Sequence, residues 1–186
     1  GDEPFAVILG DEIIDASVPG LAQLIHIYKQ RKGAVLGVQE VPQQEVSRYG
    51  IISARKVRNG LHRVDDLVEK PAPADAPSNL AVIGRYVLPP EIFPILRKTP
   101  PGKNGEIQLT DALRQLVKNT PMFAHEVEGQ RHDAGDKLGF LIATVELALK
   151  NPSLGPAFGE FLQQRLRPTA TDARRRGQGR TRTTTT

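Results

Sequence analysis

Residues 5–41 read FAVILGDEIIDASVPGLAQLIHIYKQRKGAVLGVQEV. The stretch opens on a continuous apolar run, Phe5 to Leu9, which fits a short strand buried on both faces. Gly10-Asp11 ends it. Ser17 stands where a helix N-cap is expected, and Leu21, Leu24, Ile25 and Tyr28 then fall on one helical stripe. Gly33 stops that helix, since a glycine takes the left-handed conformation that closes a last turn. Ala34 to Val41 reads as a second strand. Strand, helix and strand in succession predict an α/β sheet.

The rest of the chain extends that sheet. Two strands, Gly50–Ala54 and Leu61–Val64, flank Asn59-Gly60, the residue pair favoured in a type I′ hairpin. Leu67–Pro71 follows, then a Pro/Ala-rich loop to Pro77 and a strand over Asn79–Leu88. Glu91–Arg97 is a short helix, and Thr99–Gly105 a loop rich in Pro, Gly and Lys. Leu109, Leu113, Leu116 and Val117 mark a helix, and Met122–Val127 a strand. Asp136–Lys150 is the clearest helix, with Leu138, Leu141, Ile142, Val145 and Leu149 on one face. Phe158, Phe161, Leu162 and Leu166 form a last apolar stripe. The sum is a domain over residues 1–166 with a mixed sheet. It opens almost directly on a strand, so its beginning is expected to lie before Gly1.

Composition narrows the function classes. Of the chain's 186 residues none is cysteine, which excludes disulfides, thiolate metal sites and a thiol nucleophile. The formal charge of +4 is uneven: residues 167–186 hold six arginines against the single acid Asp172, leaving residues 1–166 close to neutral. The body therefore carries no general footprint for nucleic acid. The Arg/Thr-rich tail over 167–186, ending in four threonines, has little to bury and is expected to be disordered and without a site. No apolar run near the start is long enough for a membrane span or a signal-peptide core. A soluble cytoplasmic protein is the expectation.

Three places hold residues suited to chemistry. Asp11 follows the carboxyl end of an apolar strand, where open α/β sheets bind ligands. A carboxylate there suits Mg²⁺, a hard cation that takes oxygen ligands and bridges phosphates; the structural alternative is a turn or capping aspartate. Asp133, before Gly135 and a long helix, could share that cation or merely cap the helix. Glu69-Lys70-Pro71 joins a point charge for phosphate to an acceptor for sugar hydroxyls. Neighbours on a strand point to opposite faces, so both reach one ligand only if the backbone bends; otherwise they form an exposed ion pair. Gly50 opens a strand where a ligand can touch backbone, or where a side chain does not fit. Thr110 and Asp111 can act as helix caps. His132 has no partner at metal-ligand spacing.

Five segments together carry a resemblance: Phe5–Asp15, Ser47-Arg-Tyr-Gly-Ile-Ile52, Leu67-Val-Glu-Lys-Pro71, Gly105-Glu-Ile-Gln-Leu-Thr-Asp111 and Asp133-Ala-Gly-Asp-Lys-Leu-Gly139. In this order they resemble the bacterial UTP–glucose-1-phosphate uridylyltransferases, from about Phe5 to Leu166. The segment 105–111 favours these over related thymidylyl- and guanylyltransferases. The resemblance implies a three-layer α/β/α nucleotidyltransferase fold with a mixed central sheet. It implies that Asp11 binds Mg²⁺ and that Asp133 faces the metal and phosphates. Glu69 would hold glucose hydroxyls, Lys70 the sugar phosphate, and the Gly50 backbone would lie against the sugar. The substrates would be UTP and glucose 1-phosphate, and self-association into a homo-oligomer is expected. The sequence departs from the family in lacking the Gly-x-Gly-Thr-Arg-x-Leu-Pro-type triphosphate loop and the uracil-recognising segments. Two other readings stay open: a nucleotidyltransferase for another base or sugar, and a non-catalytic domain that keeps sugar-phosphate binding or oligomer contacts.

Overall fold

A computed structural model describes residues 2–102 and 105–166. The Arg/Thr-rich tail and the middle of the loop before Gly105 lie outside the described residues. The chain divides at Asp136/Lys137 into two compact units, a division additional to the boundary expected at the tail.

The first unit is built on a six-stranded mixed sheet in the order β1-β6-β3-β7-β5-β4. Its strands are β1 (Phe5–Ile8), β3 (Ala34–Glu40), β4 (Gly50–Arg58), β5 (Leu61–Glu69), β6 (Leu80–Leu88) and β7 (Met122–Glu126). β6 runs antiparallel to both β1 and β3, whereas β3 and β7 are parallel. A separate ribbon pairs β2 (Glu12–Asp15) with β8 (Gln130–Asp133), antiparallel.

Side-chain alternation splits the sheet between two cores. Val35, Val87 and Phe123 pack with Leu24 and Ile27 of helix α1 (Gly20–Arg31). Their strand neighbours Leu36, Leu88 and Ala124 pack on the other face with Ile92 of α2 (Ile92–Leu96) and Leu113 and Leu116 of α3 (Leu109–Leu116). Helices therefore cover both faces of a mixed sheet, the three-layer α/β/α arrangement that the resemblance implied. Strands buried on both faces carry near-continuous apolar runs, and β3 and β6 read that way.

Several expectations are corrected. β1 is not buried on both faces. It pairs only with β6 as an edge strand, and Ile8 is 56% exposed. Ser17 does not cap α1: the N-cap is Pro19, with no side-chain cap bond. Its fixed φ suits the entry to a helix, and its carbonyl accepts the N–H of Gln23. The Asn59-Gly60 hairpin forms, but only Gly60 has a positive φ (66°), so the turn is not type I′, which needs both. A register shift between Lys56 and Arg58 accommodates it. β2 and β8, four residues each, are too short to show a period of two.

The second unit contains α4 (Lys137–Lys150) and α5 (Gly155–Leu166), which pack on each other, with the Phe158 and Phe161 rings stacked in α5. Among the described residues no helix is long and apolar enough to cross a membrane.

Candidate functional site

A cleft of about 580 Å³ opens beyond the carboxyl ends of β1, β5 and β8. Asp11, Gly50, Glu69, Lys70 and Asp133, separated by up to 122 positions in the chain, all line it, and so do Arg48, Tyr49, Tyr86, Thr110 and Gly135. The crevice outside the strand ends is where α/β sheets bind ligands.

The bend required at Glu69-Lys70 is present. Lys70 has φ 45°, one of two non-glycine residues with positive φ among those described. Left-handed backbone costs an L-residue about 1–2 kcal/mol. It breaks the strand alternation, so Glu69, the last residue of β5, and Lys70 line the same cleft. The Lys70 N–H donates to the Tyr49 carbonyl (2.9 Å) and fixes the bend. Lys70 Nζ lies 3.9 Å from Glu69 Oε1.

On the other side of Glu69, Thr110 Oγ1 donates to Oε2 at 2.5 Å. Gly50 is the cross-strand partner of Glu69. A Cβ on Gly50 would meet Thr110 Oγ1 at 2.9 Å and Glu69 Oε2 at 3.2 Å. That contact gives Gly50 a steric reason to be glycine. Thr110 caps nothing: the N-cap of α3 is Gln108, without a side-chain cap bond. Tyr86 is buried nearby, and burial, with the Glu69 and Glu12 charges, pushes its phenol up to about 12.

Asp11 and Asp133 come together through the β2–β8 ribbon. Glu12 is the register partner of Asp133, and the Ala134 N–H donates to the Asp11 carbonyl (2.7 Å). Glu12 itself is gripped by Arg131, whose Nε and Nη2 donate to its two oxygens at 2.6 and 2.5 Å. The Arg131 guanidinium also lies 4.7 Å from the centre of the Tyr49 ring. Burial works against its charge, but the hydrogen bonds to Glu12 and Tyr49 outweigh burial and hold its pKa above the ordinary arginine value. Arg85, also buried, donates to the Leu9 and Gly84 carbonyls (3.1 Å each) and to the Glu12 carbonyl, propping the turn that carries Asp11.

The two aspartates are in different states. Asp133 Oδ2 accepts from Arg48 at 2.7 Å and from the Tyr49 hydroxyl at 3.4 Å, and its Oδ1 accepts the Gly135 N–H at 3.1 Å. Asp11 is exposed, and its carboxylate makes no hydrogen bond to the described residues. No three His, Cys, Asp or Glu side chains converge as a metal site among the described residues. The donors at this end of the cleft are nonetheless carboxylate oxygens, the type a hard divalent cation takes, usually with water and phosphate completing its shell. Asp11 fits that use directly; Asp133 would first have to leave Arg48. Glu12, Arg48, Tyr49, Arg85 and Arg131 were not singled out from the sequence. Arg48 and Tyr49 reach the site through Asp133, and Arg85 and Arg131 through Glu12.

Fold and cleft put the chain in the class of α/β domains with a cleft beyond their strand ends. Residues 1–148 match the nucleotidyl transferase family, and the chain belongs to it. The chain is 46% identical over 163 residues to a protein of Bacillus subtilis named UTP–glucose-1-phosphate uridylyltransferase. That alignment covers 88% of this chain and 56% of the relative. A relative from Staphylococcus haemolyticus with the same name is 43% identical, with 57% of its length covered. The crystal structure of a UDP-glucose pyrophosphorylase complexed with UDP-glucose superposes with a TM-score of 0.79 at 43% identity, covering 81% of this chain and 58% of that one. A UTP-bound UGPase from Acinetobacter baumannii gives 0.78 at 37% identity, covering 88% and 57%. The chain thus spans little more than half the length of these proteins.

Proposed function

We propose that this chain supplies the sugar-phosphate side of a uridylyltransferase that makes UDP-glucose and pyrophosphate from UTP and glucose 1-phosphate. The single observation that carries the reading is the meeting of Asp11, Gly50, Glu69, Lys70 and Asp133 around one cleft. The names of the relatives support the choice of substrates.

In this reading a phosphate oxygen of glucose 1-phosphate attacks the α-phosphorus of UTP. The new P–O bond forms as the bond to the β-phosphate oxygen breaks, and pyrophosphate leaves. No protein nucleophile takes part, so the residues act by positioning and by charge. Lys70 offsets the repulsion between two anions brought together. Glu69 accepts hydrogen bonds from sugar hydroxyls and sets the orientation of the ring. Asp11, and Asp133 if released from Arg48, would hold Mg²⁺. When bound, that cation neutralises charge on the phosphate oxygens. No Gly-x-Gly-Thr-Arg-type loop occurs in the sequence, so holding the triphosphate is not assigned to these residues.

The test is calorimetric titration of the full chain with glucose 1-phosphate and with UDP-glucose, with and without magnesium. Binding of glucose 1-phosphate that Lys70→Ala weakens about tenfold or more is expected. Failure of the wild-type chain to bind either ligand would overturn the reading.

A further inference from the structure

We infer that Thr110 is a positioning residue for sugar selectivity: it locks one oxygen of Glu69, so that the Glu69–Thr110 pair offers the ligand hydrogen-bond acceptors only. The inference rests on the proposed function and goes beyond it by stating which chemical groups the sugar must present.

Three observations carry it. The Thr110–Glu69 bond, at 2.5 Å, has the length of a charge-assisted O–H···O⁻ contact. A threonine in the first turn of a helix ordinarily bonds nearby backbone, yet α3 has no side-chain cap and this hydroxyl reaches a strand 41 residues earlier. The pair also sits against bare backbone, because a side chain at position 50 would clash with Thr110 Oγ1 and press on Glu69 Oε2. Three chain segments thus converge to hold one carboxylate oxygen.

The consequence follows from proton count. A threonine hydroxyl has one proton and can accept through its remaining lone pairs. Once that proton is committed to Oε2, Thr110 Oγ1 can only accept. Glu69 Oε1, on the Lys70 side, also only accepts. The Glu69–Thr110 pair therefore suits a sugar carrying free hydroxyl donors there. It disfavours a deoxy position, an ether or an acetamido carbonyl, each of which leaves a desolvated acceptor unpaired. Holding Glu69 in advance also spares the ligand the cost of ordering it.

The experiment titrates the full chain with glucose 1-phosphate, a series of monodeoxyglucose 1-phosphates and inorganic phosphate. Thr110→Val keeps the shape and removes the hydroxyl; Thr110→Ser restores it. Thr110→Val should lower the preference for glucose 1-phosphate over at least one deoxy analogue by about tenfold, with phosphate affinity unchanged. Thr110→Ser should keep the wild-type preference. Gly50→Ala, which wedges the pair apart without altering either residue, should repeat the Thr110→Val pattern if that variant does not fold. A uniform loss for every ligand, phosphate included, would mean a structural role and overturn the inference, as would an unchanged preference. A wild-type chain that binds no sugar phosphate would fail at the earlier step and overturn the proposed function too.

Discussion

Asp11 and Asp133 face one another across Gly135. Asp11 Oδ2 and Asp133 Oδ1 lie 3.0 and 3.3 Å from the point that a Cβ on Gly135 would occupy. The residue between them has no side chain; the Asp11 carboxylate makes no hydrogen bond to the described residues, while that of Asp133 is neutralised by Arg48. Under the proposed function, Asp11 would be the open ligand of a divalent cation and Asp133 a reserve.

Gly135→Ala should therefore push the carboxylates apart and weaken divalent-cation binding several-fold. Its backbone is not left-handed, so the melting temperature should change little. Asp11→Asn should abolish the same binding. Calorimetric titration with Mn²⁺ or Mg²⁺ reads both, and unchanged affinity in Asp11→Asn would remove this residue as a ligand.

Lys70 combines a strained conformation with a charge. Lys70→Gly should be about 1 kcal/mol more stable than Lys70→Ala, because glycine carries no penalty at φ 45°. Both should bind glucose 1-phosphate about tenfold or more weakly, since a charge-assisted contact contributes roughly 1.5–3 kcal/mol. Glu69→Ala should instead relax the choice of sugar. Urea denaturation alongside ligand titration separates these effects; identical ligand profiles for Lys70→Ala and Glu69→Ala would refute the division of roles.

The Glu12–Arg131 pair has side chains only 10% and 11% exposed. Removing one partner leaves a buried charge, so Arg131→Met should destabilise the fold by about 3–5 kcal/mol. Adding Glu12→Gln should recover a large part of that loss. A double-mutant cycle in urea measures it, and strict additivity would show that the pair is not coupled.

Tyr86 gives a pH dependence of definite sign. Its folded pKa of about 12 exceeds the ordinary value of 10.0, so folding favours the neutral phenol. Its contribution is complete below about pH 10 and is lost as pH rises toward 12, amounting to roughly 2–3 kcal/mol at most. Tyr86→Phe should lack that part of the alkaline fall. Denaturation curves of the two proteins between pH 9 and 12, if parallel, would exclude the contribution.

Period and punctuation determined the larger elements of this protein. The apolar runs of β3 and β6, the stripes of α1 and α3 and the Asn59-Gly60 break are local properties, set by which residues can share a buried face. The order of five short segments likewise marks Asp11, Gly50, Glu69, Lys70 and Asp133 as candidates, through the resemblance those segments carry. Tertiary structure decided how those residues are held. That Asp133 is held by Arg48, that Glu12 is gripped by Arg131 and that Thr110 reaches Glu69 depends on contacts across 85, 119 and 41 residues. Such partners leave no periodic trace, because each is fixed by a single side chain arriving from another element. The backbone of Lys70 is of the same kind: lysine has no preference for a left-handed φ, and the bend exists because the Tyr49 carbonyl, brought alongside by the pairing of β4 with β5, holds its N–H there.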